Sequence, residues 1–128
     1  MRNYSNVCIA LLVVIALPIL SGCSGPHSSP ENVVKAWVEA VAAGDCEKAA
    51  SYYAPDSRHE IESECGPSAI YPIVRVRIDE VVVRPSSFDP NIARVTIVGE
   101  IEHRGMGTND SWEFSAEKID GDWYFLDD

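Results

Sequence analysis

Val74-Arg75-Val76-Arg77-Ile78-Asp79 alternates apolar and charged residues without a break, and its reading decides the fold. A period of two places Val74, Val76 and Ile78 on one face of a half-buried strand and Arg75, Arg77 and Asp79 on the other. The parity is lost between Glu80 and Val83, where three valines follow in a row, so a bulge or sharp bend is expected there. Residues 85–90 begin and end on proline and read as a turn. Ala93, Val95, Ile97 and Ile101 then alternate with Arg94, Thr96, Glu100 and Glu102 in a second long strand, with Gly99 marking a bend. A Gly-rich turn over 104–110 precedes a third strand carrying Trp112, Phe114 and Ala116. Asp120-Gly121 signals a tight hairpin into a last strand over 123–126.

Upstream of Val74 the period is helical. Ser29-Pro30-Glu31 combines an N-cap, a proline suited to the first helical position and a first-turn acid. Val34, Trp37, Val38 and Val41 follow as one apolar stripe. Gly44 stops this helix, and Asp45 caps a second one expected to run through Cys46, Ala49, Ala50 and Tyr53 to Pro55. The polar stretch 56–68 reads as a loop or short helix. Helices first and strands afterwards imply an α+β domain over 30–128: an N-terminal helical hairpin on one face of a bent, four-stranded antiparallel sheet.

The chain has 128 residues, enough for one domain, and its 46% hydrophobic content is that of a folded protein. Its formal net charge is -10, and Arg2 is the only charged residue before Cys23, so the part after residue 22 is one unit more negative still. Such a surface repels nucleic acid and anionic headgroups, which excludes direct nucleic-acid binding as an expected function.

Residues 7–20 form an almost pure apolar run broken only by Pro18, behind the lone positive charge of Arg2. The run is shorter than the roughly 20 apolar residues of a comfortable transmembrane helix and has the length of a signal-peptide core. It ends in Leu20-Ser21-Gly22-Cys23, which resembles a bacterial lipobox: an aliphatic residue, two small residues and a cysteine. The resemblance implies a signal peptide over 1–22, cleavage before Cys23, and a diacylglyceryl group with palmitate-like acyl chains on the Cys23 thiol. The protein would then be held at the extracytoplasmic face of the cell membrane or the outer membrane, since two acyl chains make a durable anchor where one does not. Residues 23–29 would be a polar tether reaching about 20 Å when extended. With Cys8 in the leader and Cys23 lipidated, Cys46 and Cys65 are left as an even pair in an exported domain, which reads as a disulfide.

Two further stretches carry a family resemblance. Pro30-Glu31-Asn32-Val33-Val34-Lys35-Ala36-Trp37 leads to Ala43-Gly44-Asp45-Cys46-Glu47-Lys48-Ala49-Ala50, and the chain closes on Asp120-Gly121-Asp122-Trp123-Tyr124-Phe125-Leu126-Asp127. Together they resemble small lipoproteins of the nuclear-transport-factor-2-like superfamily, which implies a cone-shaped, cystatin-like α+β domain with a cavity at its wide end. Some relatives in that superfamily are ketosteroid-isomerase-like or polyketide-cyclase-like enzymes, and many only bind ligands or partners.

The residues offer no strong chemical motif. His59 with Glu60, Glu62, Glu64 and Cys65 lacks the paired spacing of a zinc site and reads as a solvated loop. Asp120, Asp122, Asp127 and Asp128 lack a calcium-loop pattern. His103 reads as an exposed strand end; turned inward, it would sit at a cavity mouth beside Asp79 or Glu80 and serve as a general base. The resemblance to isomerase-like relatives would make a buried Asp79-Glu80 carboxylate the base, with Tyr52, Tyr53 or Tyr71 as the hydroxyl that stabilises an oxyanion. Asp79-Glu80 itself reads as a solvent-facing acid pair at the bulge. No catalytic residue, metal ligand or cofactor is therefore expected. A pocket, if open, would be lined by Trp37, Tyr53, Val76, Ile97, Trp112, Phe114 and Trp123. The expected function is a membrane-tethered module binding a small apolar ligand or an envelope protein, with a cavity enzyme and a filled-core envelope scaffold as alternatives.

Overall fold

The structure, a computed structural model, describes residues 25–127. The leader over 1–22, the lipobox and Cys23 lie outside the described residues. The chain folds as an α+β domain in which helices pack on one face of an open, four-stranded antiparallel sheet with strand order β1-β2-β3-β4.

Helix α1 spans Pro30–Ala42. The Ser29 hydroxyl accepts from the Asn32 N–H at 3.0 Å, so the expected cap satisfies one of the four unpaired donors of the first turn. Val33, Val34, Trp37, Val38, Ala40 and Val41 form its buried face. Gly44, at φ 76°, takes the left-handed turn that ends it. The Asp45 side chain then accepts from the Lys48 N–H at 3.1 Å and caps α2.

Helix α2, Cys46–Ala50, is shorter than its sequence suggests. Tyr53 does not continue it but forms a parallel bridge with Phe125, and the Phe125 N–H donates to the Tyr52 carbonyl at 2.8 Å. That carbonyl closes the open side of the sheet, and the Tyr53 ring goes into the core instead of onto a helix face. The following polar stretch forms a 3-10 helix over Pro55–Ser63. Cys46 and Cys65 are joined as a disulfide, Cα atoms 5.6 Å apart, pinning the end of this segment to the start of α2.

The strands are β1 (Ile73–Pro85), β2 (Ile92–His103), β3 (Gly107–Ile119) and β4 (Asp122–Leu126). β3 begins earlier than the expected turn over 104–110 allows, because His103 already pairs with Gly107 and the turn is confined to the residues between them. Asp120 and Gly121 both have positive φ, 51° and 89°, the backbone of a tight hairpin turn between β3 and β4.

The bulge expected within 80–83 falls one step earlier. The β1–β2 register shifts between Ile78 and Glu80, leaving Asp79 as the extra residue. Val81 and Val83 consequently return to the half-buried face while Val82 is exposed. Opposite the bulge, Gly99 lies against the neighbouring strand: a Cβ there would stand 2.0 Å from the Arg77 carbonyl oxygen. The sheet therefore bends at a position that only glycine can occupy without displacing backbone.

The last residues of the expected tether are bound down. His27 Nδ1 lies 2.7 Å from the Trp123 carbonyl oxygen, and the Trp123 N–H donates to the His27 carbonyl at 2.9 Å. The chain thus enters at the end of the sheet where β4 begins. No helix among the described residues is long and apolar enough to cross a membrane.

Two stability outcomes follow from this geometry. Gly99→Ala is expected to cost at least about 2 kcal/mol in urea unfolding, through forced backbone displacement. Replacing both Cys46 and Cys65 by serine is expected to cost about 3 kcal/mol by loss of the cross-link, measured the same way.

Candidate functional site

The middle of the domain is filled. Trp37 stacks on Phe125 with ring centroids 3.9 Å apart and planes 8° from parallel, and Tyr53 meets Phe125 edge-on at 5.2 Å. Beyond this aromatic layer, at the end where β1 starts and β2 finishes, lies a cavity of about 310 Å³. Ile73 of β1 and Trp112 and Phe114 of β3 supply apolar walls. The segment after the 3-10 helix closes the other side with Glu64, Ser68, Ile70 and Tyr71, and Met106 enters from the β2–β3 turn.

The rim is unusually apolar for solvent-facing loops. Ile70, Tyr71 and Met106 are 74%, 53% and 52% exposed. These apolar side chains are grouped around the opening rather than scattered. Tyr71 packs across Gly105, where an added Cβ would meet its ring at 3.5 Å, so the two loops of the rim touch.

Two polar side chains set the cavity's electrostatics. His103 is 7% exposed, its ring centroid 4.6 Å from that of Trp112, and its Nδ1 is buried without a hydrogen-bond partner among the described residues. Burial pushes the imidazole's pKa down, so it is neutral at pH 7. Glu64 is half-buried, and its carboxyl pKa is pushed up, first by desolvation and then by the like charge of Asp127. Behind the cavity, the Tyr53 hydroxyl is driven far above the usual phenol range, chiefly by burial and next by Asp127. The Trp37 indole N–H offsets this in part, yet neither atom has a partner in hydrogen-bond geometry.

A larger furrow of about 450 Å³ runs along the disulfide between Gly44, Pro67, Pro72 and Arg104. It is walled by small side chains and turn residues, and contains neither an aromatic ring nor a buried polar group. Of the two, the smaller cavity is the better candidate: it combines aromatic walls with a sequestered hydrogen-bonding group.

The reading of His103 as an exposed strand end is corrected. The β1–β2 register sets it opposite Ile73 on the inward parity of β2, the same parity as Ile97 and Ile101. Its cavity neighbour is Glu64 rather than Asp79 or Glu80. Asp79 is bulged outward and chelated by Arg77, at 3.2 Å to Nε and 3.0 Å to Nη2, which holds its carboxyl below the usual range. Glu80 is likewise exposed.

Of the pocket residues named from sequence, Trp112 and Phe114 line the cavity. Trp37, Tyr53 and Ile97 are sealed in the core, and Val76 and Trp123 pack half-buried against it. Ile70, Ile73 and Met106 were not legible as pocket residues, and Tyr71 was named only as a hydroxyl for a cavity site, although Ile70-Tyr71-Pro72 between a cysteine and a strand is an apolar group too short for an element of its own. His59 is exposed on the 3-10 helix, and no cluster of three potential metal ligands occurs among the described residues.

No protein family model matches the chain. It is 28% identical to an uncharacterized protein of Aquifex aeolicus (strain VF5), across 97% of this chain and 91% of that protein. A solution structure of a SEC-C motif containing protein from Rhodopseudomonas palustris shares 18% identity with a TM-score of 0.47, over 97% of this chain and 88% of that one.

Glu64 gives a signed pH outcome. Its folded pKa lies above the unfolded one, so its contribution to stability is present below about pH 4.3 and is lost as pH rises through the folded value. Glu64→Gln should therefore melt above the wild type at pH 7.5, and the gap should close as the pH is lowered toward about 4. A melting point unchanged at both pH values would show that the carboxylate carries no desolvation penalty.

Proposed function

We propose that this protein is a lipid-anchored, extracytoplasmic binding module. Its cone of the nuclear-transport-factor-2-like kind would take a small apolar ligand in the cavity between Trp112 and Tyr71. The observation that carries this reading is the opening itself: aromatic and aliphatic walls beneath the exposed rim of Ile70, Tyr71 and Met106. A volume of about 310 Å³ is at the small end for ligand sites, so the ligand would be a compact molecule. The lipobox supports the anchor through diacylglyceryl-Cys23. The docking of His27 on Trp123 supports an orientation, because it holds the entering chain at the end of β4 remote from the cavity. An anchored molecule would thus present its mouth away from the bilayer.

A second reading, a cavity enzyme of the isomerase or cyclase kind, draws on the neutral His103 in the cavity wall. A general base needs a partner that fixes its tautomer, and Nδ1 has none among the described residues, which favours binding over turnover.

Two measurements test the proposal. Intact mass of protein purified from its native membrane should show a chain beginning at Cys23 with a diacylglyceryl-sized addition; an unmodified chain beginning at Met1 overturns the anchor. The neutral apolar fluorophore N-phenyl-1-naphthylamine should gain emission on titration with the protein. Ser68→Trp, which places an indole in the mouth from an exposed wall position, should weaken that binding at least tenfold. No gain in emission, or equal binding by the variant, overturns the cavity as the site.

A further inference from the structure

Among the described residues, the cavity is lined by a carboxylate and by no lysine or arginine. The arginines of β1 and β2 are committed to the opposite face of the sheet. Arg75 pairs with Glu102 at 3.1 Å, Arg77 with Asp79 and Glu100, and Arg84 and Arg94 both with Glu113. Arg104, next in sequence to His103, turns into the furrow on the other side of Ile73. Glu64 has no ion-pair partner among the described residues, and the charge that acts on it is that of Asp127, which also acts on Tyr53 together with Glu64 and Glu60. His103 adds no positive charge, being buried and neutral, and its Nδ1 is left unpaired in the same wall.

Each side of this arrangement selects a ligand property. A half-buried carboxylate without a counter-ion gains most from a bound cation, by a charge-assisted hydrogen bond away from bulk water. The faces of Trp112 and Tyr71 attract both apolar groups and cations. The whole-chain charge of -10 raises the local concentration of cations and repels anions.

We infer that the cavity selects a small organic cation, a protonated amine on an aromatic or aliphatic body, with the ammonium at Glu64 and the body between Trp112, Phe114 and Tyr71. The unpaired group of His103 then serves a second polar atom of the ligand. This inference rests on the binding function proposed above and names the ligand class for that same site.

The test compares three probes that share one phenethyl body: phenethylamine, 2-phenylethanol and 3-phenylpropionate. Each is titrated calorimetrically at pH 7.5 into the lipidated full-length protein in phosphatidylcholine nanodiscs, with empty nanodiscs as the blank. The amine is expected to bind at least tenfold tighter than the alcohol, with the carboxylate weakest. Glu64→Gln is expected to lower the amine's affinity until amine and alcohol lie within twofold of each other. Equal affinity for amine and alcohol in the wild type, or an amine preference that survives in Glu64→Gln, overturns the inference and leaves the binding function standing with a neutral ligand. If none of the three probes binds, the binding function and the inference fall together.

Discussion

The flat contact between Trp37 of α1 and Phe125 of β4 ties the helix layer to the sheet. Their rings lie 3.9 Å apart, and Phe114 and Tyr53 close around them at centroid distances of 5.7 and 6.4 Å from Trp37. A buried aromatic of this size removes roughly 200 Å² from water, worth about 5 kcal/mol at 25 cal/mol per Å². β4 is only five residues long and could not hold an edge position by its ladder alone. It is kept in place by Phe125 below and by the backbone of Tyr52 beside it, and the second helix ends early to provide that backbone. The entry of the chain at His27, the end of α2 and the pitch of α1 all depend on where this one ring stack sits.

The cavity is a consequence of the same stack. The aromatic layer finishes the core midway along the sheet, while β1, β2 and β3 extend beyond it and bend at Asp79 and Gly99. The segment held by Cys46–Cys65 covers that overhang without filling it. Among the described residues, three buried polar atoms, Trp37 Nε1, Tyr53 Oη and His103 Nδ1, have no hydrogen-bond partner. Buried donors and acceptors are paired in most folded proteins, so each of these costs stability. Of the three residues His103 lines the cavity, while Trp37 and Tyr53 are sealed in the core.

Charge is distributed to match. The outer face of the sheet carries ion pairs between β1, β2 and β3, all with substantially exposed side chains. Pairs of this kind add little stability singly, about 0–1 kcal/mol. Their effect on the site is indirect: they occupy the arginines of β1 and β2 on the face turned away from Glu64. The inner end is left acidic, and burial raises the pKa of the Glu64 carboxyl and lowers that of the His103 imidazole, toward the neutral form of each.

Local features were legible in the sequence because their causes are local. Ser29, Pro30 and Gly44 bound α1, the alternation from Val74 to Asp79 makes β1, and Asp120-Gly121 makes the last turn, since each depends on a residue's own backbone preference or on its nearest neighbours. The even cysteine pair was likewise readable from number and context. The shortness of α2, the exact place of the bulge and the inward turn of His103 depend on partners distant in the chain: Phe125 for Tyr53, Gly99 for Asp79, Ile73 for His103. The cavity belongs to the same class. Glu64 lies in a polar stretch that reads as solvated loop, and Tyr71 in a connection; they become a site with Trp112 only when the disulfide and the sheet's overhang bring three segments together. The sequence by itself determined the elements and their order, because periodicity and caps act within a few residues. Only the tertiary structure decided which polar groups are buried and what faces the opening, because burial is a property of the packed whole.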